Sequence, residues 1–416
     1  MNHPKMKWTY VGIDSHRDTH TAVFLDCFFE KLGEITFHNL PSAFGAFLSE
    51  ANTLKMDGTE LLFGLEDVSA YGRMLAVFLT DRNQQVKHVN GLLVARERKN
   101  QNIVQKTDSV DAECAAKVLL SKFSELPDAD PQDKYFILRT IVVRRDFIVK
   151  NNVCLKNHLH TFLLQHYPNY GNFFANIDCK TSLAFLTRYP SPSKLENVTL
   201  EELTAFLREP SKGRVGAAKA QEILDNIEDT TIQFQEIRDM SVQSTIRQLE
   251  FNLRELEQIE KTMVIFLQQF DCPLTSMNGI DVVTAAQMLS CIGDIKKFST
   301  PAKLARYAGI APITYASGKK DLQFANQRGN RELHSIFYHL AVWISGTGGA
   351  RNKVVNPFFY DYFHRKMSEG KTKRQAYKCV ERRLVNIIWT MLTNNEEYIN
   401  PPMREIPKET QEKAGK

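Results

Sequence analysis

Between Tyr10 and about Asn90 the chain alternates short apolar, β-branched runs with amphipathic stretches, and the order of these runs constrains its fold more than any other feature. Strands are expected at YVGID (10–14), TAVFLD (21–26), ITFHNL (35–40), LLFGLE (61–66) and QVKHVN (85–90). Helices are expected over about 41–51 and 70–82. The series therefore runs strand, strand, strand, helix, strand, helix, strand.

That succession is the order of the ribonuclease H-like fold, so the amino-terminal part is expected to be a layered α/β domain. In this order the first and fourth strands are neighbours, and their ends present Asp14 and Glu66 side by side. A further helix is expected from Asp108 to about Ser121, with Asp108 and Asp111 in its first turn. Residues three apart on a helix are rotated by about 300°, so those two share a face. Each acid has an ordinary reading: Asp14 as a turn residue, Glu66 as a strand end, Asp108 and Asp111 as partners of the helix dipole. Taken together, four carboxylates repel one another unless cations intervene, and hard oxygen ligands suit Mg²⁺ or Mn²⁺. Two such ions about 3.5–4 Å apart serve in-line phosphoryl transfer.

At 416 residues the chain exceeds one ordinary core and is expected to form more than one domain. The basic, polar stretch 91–106 reads as a linker or mobile loop. Residues 134–168 carry one long amphipathic pattern that ends at Pro168. A second runs from about 230 to 270, with Val242, Ile246, Leu249, Leu253, Leu256, Met263 and Leu267 at heptad-like spacing and Glu260 interrupting the stripe. Such a helix can fold back on 134–168 or dimerise. Residues 170–228 between them read as a small helical cap, and 271–398 as a mainly helical unit opening with two helical patterns about the Asn278-Gly279 turn. The expected division is thus an α/β domain over 1–125, a helical coiled-coil-like linker or dimerisation region over 134–270, an all-α unit over 271–398, and a disordered tail over 399–416.

Composition narrows the class of function. A hydrophobic fraction of 43% and a charged fraction of 24% are those of soluble globular proteins. No stretch approaches the roughly 18–20 apolar residues of a membrane span, and the start runs into a strand rather than a signal peptide, so a cytoplasmic protein is expected. Seven cysteines without a C-x-x-C pair predict neither a disulfide framework nor a zinc knuckle. The net charge is +5, but residues 271–390 alone carry about ten more basic than acidic side chains. A polyanion is the partner such a surface attracts.

The motifs YVGIDSHRDTHTAVF, FGLEDVSAYG and KTDSVDAECAA resemble those of the DEDD transposases, bacterial insertion-sequence enzymes related to the Piv-type DNA invertases. The likeness continues through the long helical pattern of 134–168 and through LTSMNGIDVVTAAQMLSCIG to YASGKKDLQFANQRGNRELHSIFYHLA, so nearly the whole chain is covered. The resemblance implies an amino-terminal domain similar to the RuvC Holliday-junction resolvase, with Asp14, Glu66, Asp108 and Asp111 at its four catalytic, metal-binding positions. It implies a carboxyl-terminal transposase domain whose serine, Ser317 in TYASGKK, attacks the DNA phosphate to form a covalent phosphoserine. It also implies a structured bridge RNA that pairs with donor and target DNA, and dimers that pair into a tetramer in a bacterial or archaeal cell, at the nucleoid. The chain departs from the family pattern at Asn278, where proline usually precedes the glycine.

Apart from that resemblance, Ser317 reads as an ordinary loop serine beside a glycine, with no histidine as an obvious local base. Lys319, Lys320, Arg328 and Arg331 surround it in sequence and are suited to phosphates, as is any solvated basic loop. Tyr315, Phe324, Tyr338 and Trp343 are candidates for stacking on bases, although at helical spacing the last two read more naturally as core. The run 369–383 alternates bases with apolar residues, placing Lys371, Lys373, Arg374 and Lys378 for contact with a nucleic-acid backbone. Arg96, Arg98, Lys99 and Lys106 are the next candidates, for guide RNA. The expected function is RNA-guided DNA strand cleavage and exchange. A hydrolytic junction-resolving nuclease with water as nucleophile is the alternative, and a non-catalytic nucleic-acid-binding protein the third reading.

Overall fold

The computed structural model describes residues 3–400 apart from 67, 69, 130, 132, 133, 229–232, 318, 319, 325, 350 and 351, and without the side chains of 314–317 and 320–323. These residues gather into two compact units, Met1–Ile137 and Leu138–Lys416.

In the first unit, β1 (Trp8–Ser15), β2 (Thr19–Leu25) and β3 (Lys31–His38) are followed by α1 (Pro41–Leu54), β4 (Glu60–Leu65), α2 (Arg73–Asp81) and β5 (Gln85–His88). One five-stranded sheet results, in the order β3-β2-β1-β4-β5. β1 pairs antiparallel with β2 and parallel with β4, so the first and fourth strands are neighbours as the sequence predicts. β1 reads as an almost unbroken apolar run because both its faces are covered. Val11 and Ile13 pack with Phe24, Phe63 and Leu65 beneath α1 and α2. Tyr10 lies on the other face with Val23, Leu25 and Leu62. The edge strand β3 instead alternates, sending Ile35 and Phe37 inward, where Phe37 stacks on Phe47 at 3.9 Å.

Two more helices, α3 (Gly91–Asn100) and α4 (Asp108–Lys122), cover that second face. α3 corrects the expectation of a linker over 91–106. Asn90 caps it by accepting from the Leu92 amide at 2.9 Å, and Val94 anchors it in the core. Its polar composition concealed a helix that a single buried residue holds in place.

In the second unit, which takes in α5 (Lys134–His166) from Leu138 on, α5 and α9 (Gln235–Leu267) run antiparallel, with α6 (Lys180–Arg188), α7 (Leu200–Arg208) and α8 (Ala217–Asp225) between them in sequence. Leu155, Leu159 and Leu163 share one core with Val242, Ile246 and Leu249. Glu260, which breaks the apolar stripe, bonds Arg145 across the pair at 2.8 Å. Beyond them come α10 (Val282–Ile292), α11 (Pro301–Tyr307), a hairpin of β6 (Ile313–Ser317) and β7 (Lys320–Phe324), then α12 (Arg331–Ile344), a two-residue ladder of β8 (Thr347–Gly348) and β9 (Lys353–Val354), α13 (Pro357–Ser368) and α14 (Lys373–Asn394).

Two details differ from the sequence reading. Only α10 flanks the Asn278-Gly279 turn as an α-helix, the other side being a single 3₁₀ turn, Pro273–Ser276. The β6–β7 hairpin forms where the sequence predicts a loop. Gly279 has φ of 105°, and a Cβ there would stand 2.5 Å from Ile344 Cγ2, so the turn requires glycine whichever residue precedes it. Among the described residues no helix is long and apolar enough to cross a membrane, and all seven cysteines are free. Most of the expected tail, residues 401–416, lies outside the described residues.

Candidate active site

Strand alternation decides which side chains meet. Gly12 and Asp14 fall on the face of Tyr10, and Gly64 and Glu66 on that of Leu62, which is the face α4 covers. A Cβ at Gly12 would stand 2.2 Å from the Ala112 carbonyl oxygen and 2.2 Å from the Ala116 amide nitrogen. Glycine in the strand and alanines on the helix thus let α4 lie directly on β1. The first turn of α4 then overhangs the end of the strand, where Asp14 is. Thr107 caps α4 by accepting from the Val110 amide, and Ser109 donates to Glu34 of β3 at 2.5 Å, fixing that turn to the sheet.

Asp14 is 9% exposed and Asp111 7%, whereas Asp108 is open to solvent. Burial pushes the Asp14 carboxyl above the ordinary aspartate range; His16 pulls it down, and the charges of Asp108 and Asp111 push it up again. Asp14 therefore feels both aspartates of the first turn of α4. Glu66 follows Leu65, the parallel partner of Ile13, so it leaves β4 beside Asp14. Its carboxylate turns to the start of α3, where a Cβ on Gly91 would fall 2.1 Å from Oε1, a favourable place for an anion against the helix dipole.

His16 was not singled out in the sequence, although its position two residues after Asp14 is a signal, because alternate residues share a strand face. Its Nε2 lies 3.1 Å from Asp14 Oδ2 and 3.1 Å from Asp108 Oδ1. Ligand atoms of Asp14, His16 and Asp108 all fall within 4.8 Å of one another, a grouping that can hold a metal ion. Cis ligands of one octahedral ion with bonds of about 2.0–2.1 Å lie about 3 Å apart, so the donor set fits a divalent cation. Arg98, among the expected nucleic-acid contacts, turns inward and pairs with Asp111. The neighbouring Arg96, Lys99 and Lys106 are exposed.

The remaining candidates belong to the second unit. Ser317 ends β6 opposite Lys320 at the hairpin, but both side chains, with that of Tyr315 and all of Lys319, lie outside the described residues. The hairpin's base is anchored: Asn326 Nδ2 donates to the Arg306 carbonyl at 2.8 Å, and Gly309 and Gly329 meet backbone to backbone. Arg328 is exposed. Arg331 lines a cleft of about 1000 Å³ with Lys150, His339 and Trp343. Lys373, Arg374 and Lys378 line a second, of about 700 Å³, with Tyr338 and Tyr377; Lys371 is exposed just before α14. Tyr338 and Trp343 are 41% and 51% exposed, so they are not the core residues their spacing indicated. The core face of α12 is Leu333, Phe337, Leu340, Ala341 and Ile344. Phe324 is likewise exposed.

Two family models match this chain. The DEDD transposase model of IS110 type covers residues 11–168, and the model described as transposase, IS116/IS110/IS902 family, covers residues 272–352. The first span contains Asp14, Glu66, Asp108 and Asp111, and the second contains Ser317. The chain is 25% identical over 410 residues to the uncharacterized 44.8 kDa protein of insertion element IS116 from Streptomyces clavuligerus, covering 94% of this chain and 96% of that one. It is 22% identical over 400 residues to the 42 kDa protein of insertion element IS900 from Mycobacterium paratuberculosis, with the same coverage of 94% and 96%. The pilin gene-inverting protein of Moraxella bovis is 29% identical over 130 residues, 30% of this chain and 37% of that protein.

Proposed function

The chain belongs to the IS116/IS110/IS902 family of DEDD transposases, and from that premise we propose that it cuts and rejoins the DNA strands of a mobile element by divalent-metal-dependent phosphoryl transfer, with Ser317 as the covalent nucleophile and a structured RNA as guide. The observation that carries the reading is that carboxylate oxygens of Asp14, at the end of β1, and Asp108, in the first turn of α4, lie within 4.8 Å, with Asp111 in that same turn and Glu66 leaving the adjacent parallel strand. The strand order β3-β2-β1-β4-β5 supports a ribonuclease H-like, RuvC-type domain around that centre.

In this reading Asp14 and Asp108 would hold the first ion, while Glu66 and Asp111 complete the acidic surround. Mg²⁺ or Mn²⁺ bound there supplies positive charge to the phosphate and to the attacking and leaving oxygens. The protein's own part is placement, since buried Asp14 is held by the sheet and Asp108 and Asp111 by one capped helical turn. The Ser317 hydroxyl loses its proton and forms an O–P bond as one sugar–phosphate ester bond breaks, and the departing sugar oxygen takes up a proton. No phosphodiester is lost, so a second strand's hydroxyl can later displace the serine and reseal the DNA. The basic cleft of Lys373, Arg374 and Lys378 supports binding of DNA, with exposed Arg328 and Lys371 nearby in sequence, and Arg96, Lys99 and Lys106 support binding of the RNA. Active assemblies are dimers paired into a tetramer, working on chromosomal DNA at the nucleoid.

The test is a protein–DNA adduct that survives denaturant when enzyme, co-purifying RNA, Mg²⁺ and element-end DNA are mixed. Adducts are expected from the native chain and absent from Ser317→Ala. Cleavage that continues unchanged in Ser317→Ala but is lost in Asp14→Asn overturns the serine and leaves a hydrolytic nuclease. Sequencing of the co-purifying RNA tests guidance, which a defined, folded species supports and a random population rejects.

A further inference from the structure

The cluster at the end of β1 contains a donor that the acidic motif does not include. His16 is half exposed, and its Nε2 stands at the same 3.1 Å from a buried carboxylate, Asp14, and from an open one, Asp108. An imidazole kept for packing would lie among apolar side chains, as His20 does between Phe37 and Phe44. His16 instead directs one nitrogen between two carboxylates, at the spacing of adjacent ligands on one ion. Asp111, meanwhile, is already paired with Arg98 and is a weaker donor than a bare carboxylate.

Resting on the metal reading above, we propose that His16 Nε2 is a direct ligand of the divalent ion held by Asp14 and Asp108, which makes this a mixed nitrogen–oxygen centre favouring Mn²⁺ over Mg²⁺. The selectivity follows from ligand chemistry. Mg²⁺ is a small, hard ion that prefers oxygen and retains its water, whereas an imidazole nitrogen raises affinity for first-row transition ions. A site of carboxylates alone would lack that bias.

The experiment uses the full chain with Mn²⁺ alone and needs no turnover. Pulsed electron paramagnetic resonance of the Mn²⁺-loaded protein, grown with ¹⁵N-histidine, is expected to show coupling to a histidine nitrogen. That coupling is expected to vanish in His16→Ala and to persist in His158→Ala, which removes an exposed histidine of α5. Titration is expected to show His16→Ala binding Mn²⁺ about tenfold more weakly, with Mg²⁺ affinity changed less than about threefold. Because His16 is half exposed, the variant should melt with the native chain, and the melt is recorded alongside. Bound Mn²⁺ without histidine coupling, or an unchanged Mn²⁺ affinity in His16→Ala, overturns the assignment while leaving the acidic centre intact. If neither ion binds the native chain, or if Asp14→Asn binds as well as native, the metal reading fails and this one with it.

Discussion

Gly12 of β1 lies against Ala112 of α4 so closely that an added methyl group would stand 2.2 Å from the helix carbonyl. The neighbour it would meet is backbone, which cannot rotate away, so Gly12→Ala must lift α4 from the sheet. The expected cost is about 2–4 kcal/mol, read from urea unfolding. Lifting α4 also draws Asp108 and Asp111 away from Asp14, so Mn²⁺ binding should weaken in any fraction that still folds. A Gly12→Ala chain with the native midpoint and native ion affinity would show that this contact does not set the site.

The three aspartates should separate function from stability. Asp108 is 55% exposed at the side chain and Thr107 already caps its helix, so Asp108→Asn should change stability by no more than about 0.5 kcal/mol. Strand cleavage should nevertheless fall by about a hundredfold or more. Asp111→Asn should cost both, because it leaves the Arg98 guanidinium, 21% exposed, without its counter-charge. For a pair of that partial exposure a loss of about 1–3 kcal/mol is expected. Equal stability losses in the two variants would contradict this division.

What the sequence disclosed and what it withheld divide along one line. The order of strands was legible because burial on both faces or one leaves a direct trace in the pattern of Val, Ile, Leu and Phe. Asp14, Glu66, Asp108 and Asp111 could be placed on their elements because strand ends and a helix start are positions the pattern marks. His16 and the inward turn of Arg98 were not found, since both are set by how closely α4 and α3 approach the sheet, and that depends on Gly12 and Val94 rather than on local propensity. α3 itself was missed for the same reason: a helix with one buried anchor looks like a polar loop. Conversely, Tyr338 and Trp343 had the right spacing for a core face but sit beside it, an offset that periodicity alone does not resolve.

His20 gives the α/β unit an acid limit. It is fully buried with Phe37 and Phe44, and burial holds its pKa below the ordinary histidine value, with the charge of His16 acting in the same sense and Asn39 against it. The folded chain therefore resists a proton that the unfolded chain accepts below about pH 6.5. Stability attached to this residue is fully present above that pH and is lost as pH falls towards the depressed folded value. Replacing His20 with leucine should make stability less sensitive to acid between pH 7 and 5, measured by urea midpoints at each pH. Parallel curves for the two proteins would remove His20 as the cause.

Asn152 and Asn252 bring the last expectation, this time in the second unit. The two amides meet at 2.8 Å between α5 and α9, 6% and 8% exposed, at adjoining positions of an otherwise leucine-rich seam. Neither helix gains intrinsic stability from an asparagine, so the pair makes sense only if each amide answers the other. Asn152→Leu strands the Asn252 amide in an apolar groove and should cost about 1–3 kcal/mol, as should Asn252→Leu. The double replacement removes both polar groups together and should return to within about 1 kcal/mol of native, because a matched apolar pair needs no partner. The coupling energy of the cycle should therefore be at least about 1 kcal/mol in favour of the double variant. Losses that simply add would mean that each amide is satisfied by water and that the bond between them does not hold the hairpin in register.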